Sequence, residues 1–130
     1  MKEKTRFTEL KKIFDILHGP NGCLWDKEQT HKSLVPYLRE ESEELIEAIE
    51  KNDCLHIQEE LGDLLIQVMF HSKIASKRAK FDVEDVIEGL IKKLKRRHPH
   101  VFGSVKVGSA KEIIANWRKI KKMEKRDGKK

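Results

Sequence analysis

Cysteine, proline and aromatic side chains are scarce in this 130-residue chain, and each scarcity removes a class of protein. Two cysteines, Cys23 and Cys54, are too few for a disulfide framework. They lack CxxC spacing, and the six histidines show no ligand spacing, which leaves no zinc site. Aromatics make up 6% of the chain and interleave with no basic stripe, so nucleic-acid binding as a main function is disfavoured. No apolar run is long enough to span a bilayer, and no apolar segment of a leader follows Met1-Lys2-Glu3-Lys4-Thr5-Arg6. The glycine cluster Gly19 to Gly22 is too short and ill-placed for a phosphate loop, and no GxxxxGK(S/T) occurs. Strand signals are almost absent, Val101 to Val107 being the sole candidate. The expectation is a soluble, reduced, cytoplasmic protein with no membrane role.

Helix formers such as Leu, Lys, Glu and Ile fill the space that these absences leave. Hydrophobic and charged residues each account for 38%, a lean core under a busy surface. The net charge of +6 is local: Arg118 to Lys130 carries 8 basic and 2 acidic residues, and the remainder balances at 20 of each. The length suits one domain, expected over residues 1–124, followed by a solvated basic tail at 125–130.

The apolar pattern predicts about five helices. Phe7, Leu10, Ile13, Phe14 and Leu17 recur at helical spacing and stop at Gly19-Pro20-Asn21-Gly22. A loop to about His31 carries Cys23, Trp25 and Asp26. A second helix runs from near Ser33, with Pro36 in its first turn, to about Lys51. Asp53 is placed to cap a third that continues to about Lys77. Asp82 opens a fourth, ended by His98-Pro99, and Ser109 with Glu112 is a capping-box pattern opening the last.

Two acidic clusters stand out: Glu40-Glu41-Ser42-Glu43-Glu44 on the second helix and Glu60-Leu61-Gly62-Asp63 on the third. Glu41 with Glu44, and Glu60 with Asp63, are spaced i,i+3 and share a helix face, which costs about 0.2–0.5 kcal/mol per like-charged pair. Taken alone, Glu41 and Glu44 read equally well as a solvated face. The third helix decides between the readings, because Leu61 to Ile74 is apolar nearly all round and predicts burial on most sides. A narrow polar strip of Glu60, Asp63, Gln67 and His71 runs along it without lysine or arginine at pairing distance. Buried carboxylates need a counter-charge. Four oxygen donors from two helices make a hard site suited to Mg²⁺ or Mn²⁺. A di-iron bundle would repeat Glu-x-x-His on two helices, whereas the one match, Glu28 to His31, lies in the loop. Gly62 is expected to admit a close helix neighbour, and a hydrogen bond from His71 to a carboxylate is expected.

Other residues leave two readings open. Lys93 and Arg97, spaced i,i+4, either complement the C-terminus of the fourth helix or reach one triphosphate. Trp25 and Trp117 are core residues or platforms for a base. His98 and His100 are simplest as local caps.

The order Gly22-Cys23-Leu24-Trp25-Asp26, Glu40-Glu41-x-x-Glu44, Glu60-Leu61-Gly62-Asp63, Arg96-Arg97-His98-Pro99-His100-Val101-Phe102-Gly103 and Asn116-Trp117-Arg118-Lys119-Ile120-Lys121 resembles the MazG family of nucleotide pyrophosphohydrolases. The resemblance runs from about Phe7 to Glu124 and implies an all-α dimer, or a larger homo-oligomer, with a four-helix core. It implies Mg²⁺-dependent hydrolysis of a nucleoside triphosphate to monophosphate and pyrophosphate. By motif, Glu41, Glu44, Glu60 and Asp63 match metal ligands; Glu40 matches a position beside them or on a further metal. Glu40 and Glu41 are then the candidates to take a proton from water. Lys93 and Arg97 match phosphate contacts and Trp117 a nucleotide contact, with Trp25 a second stacking candidate. Two positions depart from the family pattern, Leu24 in place of proline and Ile91 where many catalytic copies carry asparagine. The alternative reading is a non-catalytic nucleotide- or protein-binding regulatory module on the same fold.

Overall fold

The structure, a computed structural model, describes residues 5–128. Its secondary structure is helical, with no strand among the described residues: α1 Arg6–Leu17, α2 Leu24–Glu28, α3 Val35–Glu50, α4 Cys54–Lys77, α5 Val83–Arg97, α6 Pro99–Phe102 and α7 Ala110–Arg126. The five long helices are those expected from the apolar pattern, and two short ones are new. The chain divides into two compact units, residues 1–83 and 84–130. Met1 to Lys4, on which the leader reading partly rests, and Lys129-Lys130 of the basic tail lie outside the described residues.

In the first unit, caps and breakers act where the sequence puts them. The Thr5 side chain accepts from the Thr8 amide at 3.1 Å to open α1, and Asp53 accepts from the His56 amide at 3.3 Å to open α4. The chain leaves α1 through a tight turn in which a Cβ on Gly22 would collide with the Leu17 carbonyl, so only glycine fits. The segment expected as loop then winds one helical turn, α2, held by the Lys27 amide on the Cys23 carbonyl at 3.1 Å. Pro36 sits in the first turn of α3, where its missing N–H costs nothing.

Helix α4 is central, packing along α3 and, through its C-terminal half, on α1. Phe14, Leu34, Ala48, Met69, Phe70, Ile74 and Ala75 form the buried core. Phe70 meets the Phe14 ring edge-on at 5.6 Å, and Lys73 pairs with Asp15 of α1 at 2.7 Å. The expectation that α4 is buried on most sides is corrected: Leu61, Leu65 and Val68 remain 51%, 43% and 42% exposed. The side of α4 turned to α3 is instead its polar strip, with Glu60 and Gln67 buried. The matching side of α3 presents Glu41, Glu44 and Ala48, while Leu38 and Ile49 of its apolar stripe stay exposed. Met69 of the same helix is buried. Among the described residues, a Cβ on Gly62 would meet nothing within 4 Å, so the expected close neighbour is not found there.

In the second unit, the candidate strand Val101 to Val107 does not form. Proline starts α6 directly after α5, and the Gly103 amide closes it onto the Pro99 carbonyl at 2.9 Å. A Cβ on Gly103 would stand 2.8 Å from that carbonyl, which fixes glycine there. Ser109 caps α7 by accepting from the Glu112 amide at 3.3 Å, and Glu112 reaches back to the Gly108 amide at 2.9 Å. This is the predicted box shifted by one residue. Helix α7 extends through Arg126, so the first residues of the basic tail are helical.

Candidate metal centre

Helices α3 and α4 bring four carboxylates to one point. One oxygen from each of Glu41, Glu44, Glu60 and Asp63 lies within 4.8 Å of the others. The i,i+3 spacing on each helix supplies the pairs, and the packing of α3 on α4 turns the pairs toward each other. Glu60 is buried; Glu41, Glu44 and Asp63 are half-buried. Glu40, one residue before, is exposed and lies outside this group of four.

The electrostatics of the cluster are those of a site short of positive charge. The Glu41 carboxyl is pushed up to about 7, first by burial and then by repulsion from Asp63, Glu44 and Glu60. Glu60 is likewise raised, by burial first and Glu44 next, with His56 acting in the opposite sense from 3.7 Å away. Glu41 Oε2 and Glu60 Oε2 are buried without a hydrogen-bond partner among the described residues. Four oxygen donors, two of them with orphaned buried atoms, fit a hard divalent cation in both number and chemistry. Among the described residues no nitrogen or sulfur donor joins them.

The polar strip continues along α4, where Gln67 Oε1 and His71 Nε2 are also buried without partners. The expected carboxylate partner of His71 is corrected. Its Nδ1 lies 2.7 Å from Nδ1 of His31, and the rings are parallel within 4°. Burial, and then His31, holds His71 below the ordinary imidazole range. A histidine contact spanning 40 residues leaves no periodic trace in the sequence.

Trp25 is 45% exposed and edge-on to Tyr37 at 5.7 Å and Phe70 at 6.1 Å, which makes it both a rim of the core and a partly open aromatic surface. Lys93, Arg97 and Trp117 belong to the second unit. There the Arg97 guanidinium lies 5.6 Å from the Trp117 ring centroid, and His98 meets the same ring edge-on at 5.1 Å. Arg97 also pairs with Glu124 at 2.8 Å, a partner that the sequence reading missed.

In this all-helical chain two carboxylate pairs face each other across a helix–helix contact, an arrangement that could hold a metal ion. Residues 29–102 match the MazG nucleotide pyrophosphohydrolase domain. The chain is 55% identical over 92% of its length to the nucleoside triphosphate pyrophosphohydrolase/pyrophosphatase MazG of Thermotoga maritima, covering 45% of that protein. It is 43% identical over 87% of its length to the nucleoside triphosphate pyrophosphohydrolase of Escherichia coli, covering 43% of it. The crystal structure of a mazG-related protein from Thermotoga maritima superposes with a TM-score of 0.69 at 28% identity, over 86% of this chain and 98% of that one. This chain belongs to the MazG family, and it spans less than half the length of the curated relatives it matches.

Proposed function

We propose that the chain hydrolyses nucleoside triphosphates to nucleoside monophosphates and pyrophosphate, with Mg²⁺ or Mn²⁺ held by Glu41, Glu44, Glu60 and Asp63. The observation that carries this reading is the convergence of those four carboxylates within 4.8 Å in a chain of the MazG family. The nucleoside triphosphate pyrophosphohydrolases among its relatives support the substrate class. A divalent cation at this site supplies charge neutralisation for the phosphates and a lowered pKa for the attacking water. The chain's own part is to hold the ligands in place through the packing of α3 on α4. Glu41, half-buried in the cluster, and the exposed Glu40 beside it are the candidates to accept the water's proton. Lys93 and Arg97 grip the triphosphate, and Trp117, with Trp25 as second candidate, contacts the nucleoside.

The same reading includes a homodimer or homotetramer. The exposed Leu61, Leu65 and Val68 recur at helical spacing on one side of α4, an apolar stripe of the kind a second copy covers. No helix among the described residues is long and apolar enough to cross a membrane, and we place the protein in the cytoplasm. Nucleic acid is not its target in this account. Product analysis by phosphorus NMR tests the proposal: monophosphate and pyrophosphate should form in equal amounts and only with divalent metal. Orthophosphate with nucleoside diphosphate, or binding without turnover, rejects it, the second outcome in favour of a regulatory module.

A further inference from the structure

Glu124 is the only buried residue among residues 84–128. At 4% exposure its carboxylate is removed from water on a helix that is otherwise mostly basic. Arg97 Nη2 donates to Oε1 at 2.8 Å and Arg97 Nε to Oε2 at 3.4 Å, a two-point grip that fixes the plane of the guanidinium. Arg96 Nε donates to the same Oε2. Two guanidinium groups surround one carboxylate, so the cluster keeps an excess positive charge. Arg97 Nη1 makes no hydrogen bond among the described residues, and Trp117 flanks the guanidinium on α7.

A brace between α5 and α7 needs only one ion pair, and an apolar contact would serve as well, because burying charge costs free energy that the pairing must offset. The arrangement has a further property that a brace does not need. It holds one arginine rigid beside an aromatic ring with donors and positive charge left over. We propose that Glu124 is a positioning residue for anion recognition, fixing Arg97 beside Trp117 so that its remaining donors meet a phosphate without rearrangement. The proposal rests on the reading of Arg97 as a phosphate contact. Ordering a long side chain in advance removes an entropic cost from binding. The strong pairing keeps the Glu124 carboxyl down at about 2, chiefly through its hydrogen bonds from Arg97 and then Arg96, so the device stays charged at any physiological pH.

The proposal and simple electrostatics predict opposite signs. If Glu124 only offsets charge, removing it frees two arginines and tightens phosphate binding. If it positions Arg97, removing it weakens binding. Calorimetric titration of inorganic tripolyphosphate into the full chain reads the sign directly. Glu124→Gln should weaken binding by about tenfold, and Arg97→Ala by at least as much, in line with the loss of a charge-assisted contact. The double variant should be no weaker than Arg97→Ala within about twofold, because the two residues act as one unit. Should Glu124→Gln fail to fold, Glu124→Asp keeps the charge and withdraws the carboxylate by one methylene, and it should still weaken binding. Tighter or unchanged binding in a folded Glu124 variant overturns the proposal, as do multiplicative effects in the double variant. Arg97→Ala binding like the wild type overturns it as well. A chain that shows the predicted pattern yet hydrolyses no nucleotide upholds the positioning role and rejects the enzymatic reading.

Discussion

Replacing Asp63 by asparagine should make the protein more stable than the wild type without metal and less stable than it with metal. The substitution removes one of four carboxylates that lie within 4.8 Å of each other, at nearly constant volume. Two unit charges at that distance repel by about 1 kcal/mol in a water-like medium and by about 3.5 kcal/mol at an effective dielectric of about 20. Asp63 is half-buried, so solvent screening favours the lower end, about 1 kcal/mol of relief in the absence of metal. On a domain of this size that is a rise in melting temperature of roughly 3–6 °C. Divalent cation reverses the order. At about a hundredfold excess over its dissociation constant, a ligand that binds only the folded state stabilises by about 2.7 kcal/mol, and the variant forfeits most of that. Calorimetric melts of both proteins in chelator and in millimolar Mg²⁺ or Mn²⁺ check this. The wild type should melt lower than the variant in chelator and higher with metal. A variant that is less stable in chelator, or that gains as much from metal as the wild type, refutes the reasoning.

Three other outcomes are expected. Lys93→Ala should weaken triphosphate binding more than monophosphate binding, by about 1.5–3 kcal/mol for the lost charge-assisted contact; equal losses on the two nucleotides, read by calorimetry, mean that Lys93 only complements the end of α5. Metal-free wild type should lose stability relative to Glu41→Gln as pH rises, because the Glu41 carboxyl is raised from 4.5 to about 7 and the folded state binds the extra proton between those values. Urea midpoints of the two proteins that keep a constant gap across that window contradict it. Removing residues 127–130 should leave turnover largely intact, while a cut before Glu124 should abolish it; a steady-state assay showing equal loss for both cuts places the basic end in the substrate site.

The parts of the molecule carried by local pattern were legible, and the parts carried by pairing across the chain were not. Asp53, Ser109, Pro36 and the Gly19–Gly22 breaker fixed helix ends because each acts on backbone within a few residues. The i,i+3 carboxylate pairs were visible for the same reason, and the lack of a lysine or arginine at pairing distance from the polar strip of α4 pointed to their convergence. Burial of α4 was misjudged because its apolar residues run all round, and periodicity then gives no direction. The polar strip faces α3, while Leu61, Leu65 and Val68 face outward. The strand at Val101 to Val107 was suggested by β-branched residues alone, and Pro99 with Gly103 overrode them by winding Val101 and Phe102 into α6. The contacts of His31 with His71 and of Glu124 with Arg97 span 40 and 27 residues, and neither pattern nor spacing announces such a pair.

The claim on which the account depends is that α3 and α4 together hold a divalent cation through Glu41, Glu44, Glu60 and Asp63. Electron paramagnetic resonance of Mn²⁺ titrated into the full chain, with and without Glu44→Gln and Asp63→Asn, tests it most directly. The account predicts that the free-ion signal is depleted by the wild type and recovers in both variants while their helical content is unchanged. Equal depletion by wild type and variants would place the metal elsewhere and contradict the account.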